Sequence, residues 1–130
     1  IAEVSCHDWT KAPPEEFLEA CDAILLDVPC SNTGVLRRRV DARWRLQKID
    51  LENLLVIQNQ VLEQAIKCLK PGGRLVYSTC SIDPEENIDL VTRFLKRHPA
   101  FSLEKSDQLL PFKDQSDGAF AALLRQNYSS

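Results

Sequence analysis

The sequence of 130 residues contains no methionine, no Cys-x-x-Cys pair and only two histidines. Zinc sites are usually built from paired cysteines and histidines, so we expect no metal site. The five cysteines are odd in number and no signal-peptide pattern is visible, which argues against a disulfide framework. No run of 18 apolar residues occurs. We therefore expect a cytoplasmic protein without a membrane partner.

Positive charge is concentrated in one segment of a chain whose net charge is negative. The net charge is −3, but residues 37–48 alone sum to +5 and the rest of the chain to −8. A concentrated basic patch on an acidic protein favours binding of phosphate groups, and a solvated charged loop is the alternative. Trp44, in the same segment, is a candidate stacking surface or a packing residue. The candidate phosphate-binding residues are Arg37, Arg38, Arg39 and Arg43.

Five stretches have the apolar and β-branched composition of strands. They cover residues 2–5, 23–28, 74–80, 101–103 and 119–125. The run Ala-Ile-Leu-Leu-Asp-Val at 23–28 is continuous, which is typical of a strand buried on both faces, as in a parallel sheet.

The first long helix is predicted over residues 51–69. Apolar residues recur there at helical spacing, and only Gln58 interrupts the apolar stripe. Asp50 is placed to cap this helix, and Lys-Pro-Gly-Gly at 70–73 predicts its end.

A second helix is predicted after the strand at 74–80. Asp83 is its expected N-cap, Pro84 occupies the first helical position, and the helix ends near His98. Its apolar side would carry Ile88 and Val91. Residues 7–17 have the pattern of a loop that enters a further helix, with prolines and acidic residues at its start.

This order of strands and helices predicts an α/β fold in one domain over residues 1–130. The sheet is expected to be mainly parallel, with helices packed on it through right-handed crossovers. In such open sheets, ligands bind outside the carboxyl ends of the strands.

Two strands end in a cysteine at that edge. Cys30 follows the strand at 23–28 and Cys80 ends the strand at 74–80, while Asp27 lies at the same edge. A thiolate is a strong nucleophile, and a helix N-terminus favours its formation, although nearby acidic residues oppose this at Cys80. Packing at a strand end is the alternative for either cysteine alone.

The segments "LLDVPCSNTGVLRRRVDARWRL" and "LVYSTCSIDPEEN" resemble the two signature segments of the Sun-type RNA cytosine-5 methyltransferases, in particular the bacterial 16S ribosomal RNA branch. The first family segment usually reads D-A-P-C-S-G/A-T-G, so Val28 and Asn32 depart from it. The second is matched by residues 79–81 and 84–87. "SDGAFAALLR" resembles the closing strand, with Ala119 where an aromatic residue is common.

The resemblance implies S-adenosylmethionine as methyl donor and RNA, in particular ribosomal RNA, as partner. It implies that the Cys80 thiolate adds to C6 of cytosine, that Cys30 assists the later elimination, and that Asp27 hydrogen-bonds the base. Asp8, Asp27 and Pro29 would contact the donor, with a loop or capping acid as the alternative for Asp8. The basic segment would grip RNA, whose unpaired bases are readily reached.

The family's Gly-rich donor-binding turn is absent, because none of the four glycines forms a G-x-G-x-x-G pattern. The resemblance therefore predicts the C-terminal portion of a Rossmann-like methyltransferase domain, without its first two strands. From that we expect weak donor binding, no turnover by the isolated chain, and an exposed sheet edge that invites pairing into a homodimer or displaces the N-terminal segment.

Two alternatives remain open from the sequence. One is a non-catalytic RNA-binding module that has kept the motifs. The other is a DNA cytosine-5 methyltransferase, in which Cys30 rather than Cys80 would be the nucleophile.

Overall fold

A computed structural model of the chain describes residues 2–35, 48–114 and 117–128. Four strands form one sheet in the order β1-β2-β4-β3. The strands are β1 (Cys21–Asp27), β2 (Leu69–Thr79), β3 (Phe101–Leu109) and β4 (Ala119–Gln126). β1 and β2 are parallel, and β4 runs antiparallel to both of its neighbours, β2 and β3. Three strands therefore point one way, which confirms the mainly parallel sheet with an antiparallel closing strand.

Three α-helices lie among the described residues: α1 (Lys48–Ala65), α2 (Ile88–Arg97) and the short α3 (Pro111–Asp114). α1 and α2 lie side by side, with Arg97 Nη2 3.2 Å from Glu63 Oε1. No helix in the described ranges is long and apolar enough to span a membrane.

The core lies between these two helices and one face of the sheet. Alternate residues of the strands point into it, since side chains alternate along a strand. In register across the sheet, Leu75 lies between Ile24 and Leu124, and Tyr77 lies between Leu26 and Ala122. The largest apolar side chains that are fully buried are Tyr77, Phe94, Leu62, Leu69, Leu75, Leu90 and Leu124.

The opposite face of the sheet is covered by neither long helix. Its rows are Leu25–Val76–Leu123 and Asp27–Ser78–Ala121, and Leu25 is 73% exposed. β1 was expected to be buried on both faces. That prediction is wrong, because among the described residues only the face of β1 that carries Ile24 and Leu26 packs against the core.

The N-terminal prediction of a strand at 2–5 is also wrong. These residues have no strand partner among the described residues, and a strand cannot form without one; Val4 is 96% exposed. The segment is nevertheless attached, since Trp9 packs against the core. The helix expected after residues 7–17 is reduced to a single 3₁₀ turn at Glu15–Phe17.

The ends of α1 differ from the prediction. Asp50 lies inside the helix rather than capping it. The helix ends at Ala65 and tightens into a 3₁₀ turn at Ile66–Cys68. Lys-Pro-Gly-Gly does not end the helix but lies within β2, where the register with β1 shifts, and Gly72 adopts φ 79°. Glycine suits this left-handed conformation.

The second helix begins later than predicted. Pro84–Glu86 form a 3₁₀ turn, and α2 starts at Ile88, which is exposed rather than buried. Asp83 stands before the turn, but its side chain caps nothing.

Candidate active site

The site lies at the carboxyl ends of β1 and β2, where the two cysteine-bearing loops meet. The Cys80 backbone N–H donates to Cys30 Sγ at 3.3 Å. The Gly34 N–H donates to the Cys80 carbonyl oxygen at 2.9 Å. The prediction that Cys30 and Cys80 converge is thus met by the geometry, although they are 50 residues apart in the sequence.

The two thiols differ in environment. Cys80 is exposed and Cys30 is half-buried. Burial raises the pKa of the Cys30 thiol above its ordinary value, and its hydrogen bonds lower that pKa only in part. At neutral pH, Cys30 is therefore protonated, and its thiol donates to Asn32 Oδ1 at 3.7 Å.

Asn32, a departure from the family pattern, fits its position. It adopts φ 59°, a left-handed conformation that asparagine tolerates better than most residues. Val28, the other departure in this segment, is buried, and its N–H continues the β1–β2 ladder to the Ser78 carbonyl at 3.2 Å.

A cleft of about 490 Å³ opens beside the thiols on the uncovered face of the sheet. Asp27, Ser78 and Cys80 line its polar side, and Leu25 and Ala121 contribute apolar surface. Asp27 is exposed, so its carboxylate is free to contact a bound polar group. With Asp107, which also lines the cleft, this arrangement places one thiol and two carboxylates on one concave surface.

The other predicted donor contacts lie in exposed positions. Asp8 accepts hydrogen bonds from the Thr10 N–H (3.1 Å) and hydroxyl (2.7 Å), which lower the pKa of its carboxyl group. These hydrogen bonds hold a local turn, and the exposed carboxylate remains a predicted donor contact. Pro29 is exposed, and its carbonyl oxygen accepts from Gln58 Nε2 at 2.9 Å. Arg37, Arg38, Arg39, Arg43 and Trp44 lie outside the described residues.

A buried polar network behind the thiols was missed by the sequence analysis. Its members are buried or partly buried and connect the loop after β1 to the loop after β2 through side-chain hydrogen bonds. They are Ser31, Thr33, Gln58, Ser81, Asp83 and Glu86. The one available signal was Gln58, the polar interruption of an apolar helix stripe.

The chain matches the family described as 16S rRNA methyltransferase RsmB/F over residues 1–125. It is 43% identical to ribosomal RNA small subunit methyltransferase B of Pectobacterium atrosepticum over 88% of this chain and 29% of that protein. The protein of the same name from Vibrio cholerae is 41% identical over 98% of this chain and 31% of its own length. The chain thus spans less than a third of these relatives.

The chain is also similar to solved structures. The PH0851 crystal structure superposes with a TM-score of 0.83 at 36% identity, covering 88% of this chain and 29% of that one. NSun6 from Pyrococcus horikoshii, solved with SFG, gives a TM-score of 0.68 at 30% identity, covering 81% of this chain and 30% of that one.

Proposed function

Because the chain belongs to the RsmB/F family of 16S rRNA methyltransferases, we propose that it carries the target-base half of an RNA cytosine-5 methyltransferase active site. We propose ribosomal RNA as its substrate class and the cytoplasm as its location. The contact between the Cys80 N–H and Cys30 Sγ carries this proposal, because it brings the Cys30 thiol against the backbone of Cys80, which lines the cleft with Asp27.

Cys80 is the nucleophile. Its exposed sulfur adds as a thiolate to C6 of the target cytosine, and the new S–C6 bond raises electron density at C5. Asp27 hydrogen-bonds the polar edge of the base and stabilises its protonated form. After C5 has gained its methyl group and lost its proton to a base, the C6–S bond breaks and the sulfur of Cys80 leaves with the bonding electrons.

Cys30 assists this elimination. Burial raises the pKa of its thiol, which stays protonated at neutral pH and can give its proton to the departing Cys80 sulfur, while a separate base takes the C5 proton. Cys30 is also the less exposed of the two thiols, which disfavours the DNA methyltransferase alternative, in which Cys30 would attack.

S-adenosylmethionine supplies the methyl group when it is bound. The cleft at Asp27 fits a cationic methyl donor, because it offers a carboxylate beside an apolar surface next to Cys80. Asp8 and Pro29 are the further residues proposed to contact the donor.

A chimeric enzyme tests the roles of the two thiols. Residues 1–130 would replace the matched segment of the Vibrio cholerae relative, and the product would be incubated with donor and RNA containing 5-fluorocytidine. A base can remove the hydrogen at C5 as a proton but cannot remove fluorine in that way. The elimination is therefore blocked, and the covalent adduct persists on a denaturing gel. We expect the adduct to be lost in Cys80→Ala and retained in Cys30→Ala and in the control Cys6→Ala. Loss in Cys30→Ala with retention in Cys80→Ala would overturn the assignment.

The basic segment is proposed to bind RNA phosphates through Arg37, Arg38, Arg39 and Arg43, with Trp44 stacking on a base. Binding of an RNA hairpin to the 130-residue chain should fall with salt and weaken when Arg37, Arg38 and Arg39 are changed to glutamine. Such binding, together with a catalytically silent chimera, would favour the alternative of a non-catalytic RNA-binding module.

We further propose that the 130-residue chain binds S-adenosylmethionine weakly and does not turn over, because its sequence contains no G-x-G-x-x-G turn. Calorimetric titration measures this affinity, and a micromolar dissociation constant would contradict it.

The outer edge of β1 has no partner among the described residues, so we also propose pairing of two copies there. Light scattering of the eluted chain tests that, and a monomer would contradict it.

A further inference from the structure

Glu86 is a fully buried carboxylate directly behind the two thiols. It is 0% exposed, and no lysine or arginine of the described residues forms an ion pair with it. A buried carboxylate is costly unless hydrogen bonds replace its water. The hydrogen bonds of Glu86 therefore indicate its structural role.

Four donors converge on this carboxylate. Oε1 accepts from the Ser31 N–H at 2.8 Å and from Gln58 Nε2 at 3.1 Å. Oε2 accepts from the Ser31 hydroxyl at 2.6 Å and, by a short bond, from the Ser81 hydroxyl. Ser31 follows Cys30 and Ser81 follows Cys80, so one side chain binds both loops.

The hydroxyl protons have little freedom to point elsewhere. The Ser81 hydroxyl oxygen accepts from the Asp83 N–H at 3.0 Å, and the hydroxyl donates its single proton to Glu86 in the shorter of its contacts. The Thr33 hydroxyl accepts from the Ile82 N–H at 3.0 Å and donates to Asp83 Oδ2 at 3.1 Å. The network is consistent with a Glu86 that accepts from every partner.

The backbone of Glu86 is fixed as well. The Tyr77 hydroxyl donates to its carbonyl oxygen at 2.7 Å, which attaches the 3₁₀ turn to the core strand β2. Gln58 links the same carboxylate to α1 and to the Pro29 carbonyl oxygen. Glu86 therefore joins β1, β2 and α1 at one point.

We propose that Glu86 is a positioning residue that holds the Cys30 loop and the Cys80 loop at a fixed separation, with the hydroxyls of Ser31 and Ser81 as its contacts. This inference deepens the proposed function, since it names the group that keeps the attacking thiol beside the assisting one. Glu85 is exposed and outside this network, which makes it a matched control.

The separation of the thiols is measured with dibromobimane, which becomes fluorescent when both of its arms have alkylated a thiol. The 130-residue chain would be treated with this reagent, and the Cys30–Cys80 bridge would be quantified by peptide mass spectrometry. Monobromobimane, with one reactive arm, would give the labelling of each thiol alone. The readout requires neither donor nor RNA, so its failure is distinct from failure of the proposed function.

Glu86→Gln and Glu86→Ala should lower the bridged fraction by about threefold or more, because loosened loops reduce the effective concentration of one thiol at the other. Labelling by monobromobimane should persist. Glu85→Gln should leave both values unchanged. If the alanine variant does not fold, the glutamine variant decides the question.

A variant that is destabilised elsewhere separates positioning from general loss of stability. Phe94 is buried in α2 against Phe101 and is not part of the network. Phe94→Leu should lower the thermal midpoint and leave bridging intact. The proposal is overturned if a folded Glu86→Gln variant bridges like the original chain, or if Phe94→Leu lowers bridging as much as Glu86→Gln.

Discussion

Cys30 and Cys80 follow neighbouring parallel strands, but the two strand ends differ. β1 is an edge strand with one exposed face, and β2 is paired on both sides and buried along the helix-facing side. Cys30, which follows the more exposed strand, is the more buried thiol. Cys80, which follows the more buried strand, is exposed. The environment of each thiol is therefore set by the loop that follows its strand and not by the strand.

The largest effect is expected at Gly34, where the loop after β1 contacts the loop after β2. A Cβ at this position would lie 2.7 Å from the Cys80 carbonyl oxygen and closer still to the carbonyl of Gly118. Both obstacles are backbone atoms, so a loop must move. We expect Gly34→Ala to cost about 3 kcal/mol in the free energy of unfolding, measured by urea titration. A cost below 1 kcal/mol would mean that the loops are not in contact in solution.

The support from α1 gives the next largest effect. Gln58→Leu keeps the size of the side chain but removes the donor to the Pro29 carbonyl oxygen and to Glu86 Oε1. Leaving buried acceptors without a donor should cost about 2 kcal/mol. Asn59→Leu, on the next position of the same helix, is the control. Asn59 is half-buried, so its loss should be smaller. Equal losses would show that Gln58 contributes only as a packing residue.

The thiols and the polar network behind them show where sequence reasoning succeeds and where it fails. The convergence of Cys30 and Cys80 could be predicted, because parallel strands joined by a helix bring their carboxyl ends to one edge. The role of Gln58 could be noticed but not explained, since its partners lie in the loop after β1 and in the turn after β2. Glu86 looked like one acid of a helix start, and only tertiary packing decides that it is buried and Glu85 is not.

The strand predictions failed for a related reason. Composition at 23–28 indicates an apolar strand, but whether both faces are covered depends on what packs there. At residues 2–5 the composition predicted a strand, but the segment has no partner strand among the described residues. Asp83 was expected to cap a helix, but its carboxylate instead accepts from the Thr33 hydroxyl at 3.1 Å.

The difference between the thiols predicts a difference in reactivity. At pH 7.5, iodoacetamide should alkylate Cys80 about tenfold faster than Cys30, because Cys30 is half-buried and its raised pKa leaves less thiolate. The ratio should narrow as the pH rises through the raised pKa of Cys30 and its thiolate fraction increases. Peptide mass spectrometry gives both rates. In urea the two rates should converge, and a tenfold ratio that persists there would refute this explanation.

The smallest effect is expected on the uncovered face of β1. Leu25 is 73% exposed, whereas Leu75 on the adjacent strand is fully buried. Leu25→Thr places a β-branched residue, which suits a strand, at an exposed position and should change the free energy of unfolding by less than about 0.5 kcal/mol. Leu75→Thr, the matched change on the core face, should cost about 3 kcal/mol. Because the side-chain change is the same in both variants, their difference measures how much more stability the buried, helix-facing position contributes than the exposed one. A loss of more than 1 kcal/mol at Leu25 that grows with protein concentration would instead indicate that a second copy covers this face in solution.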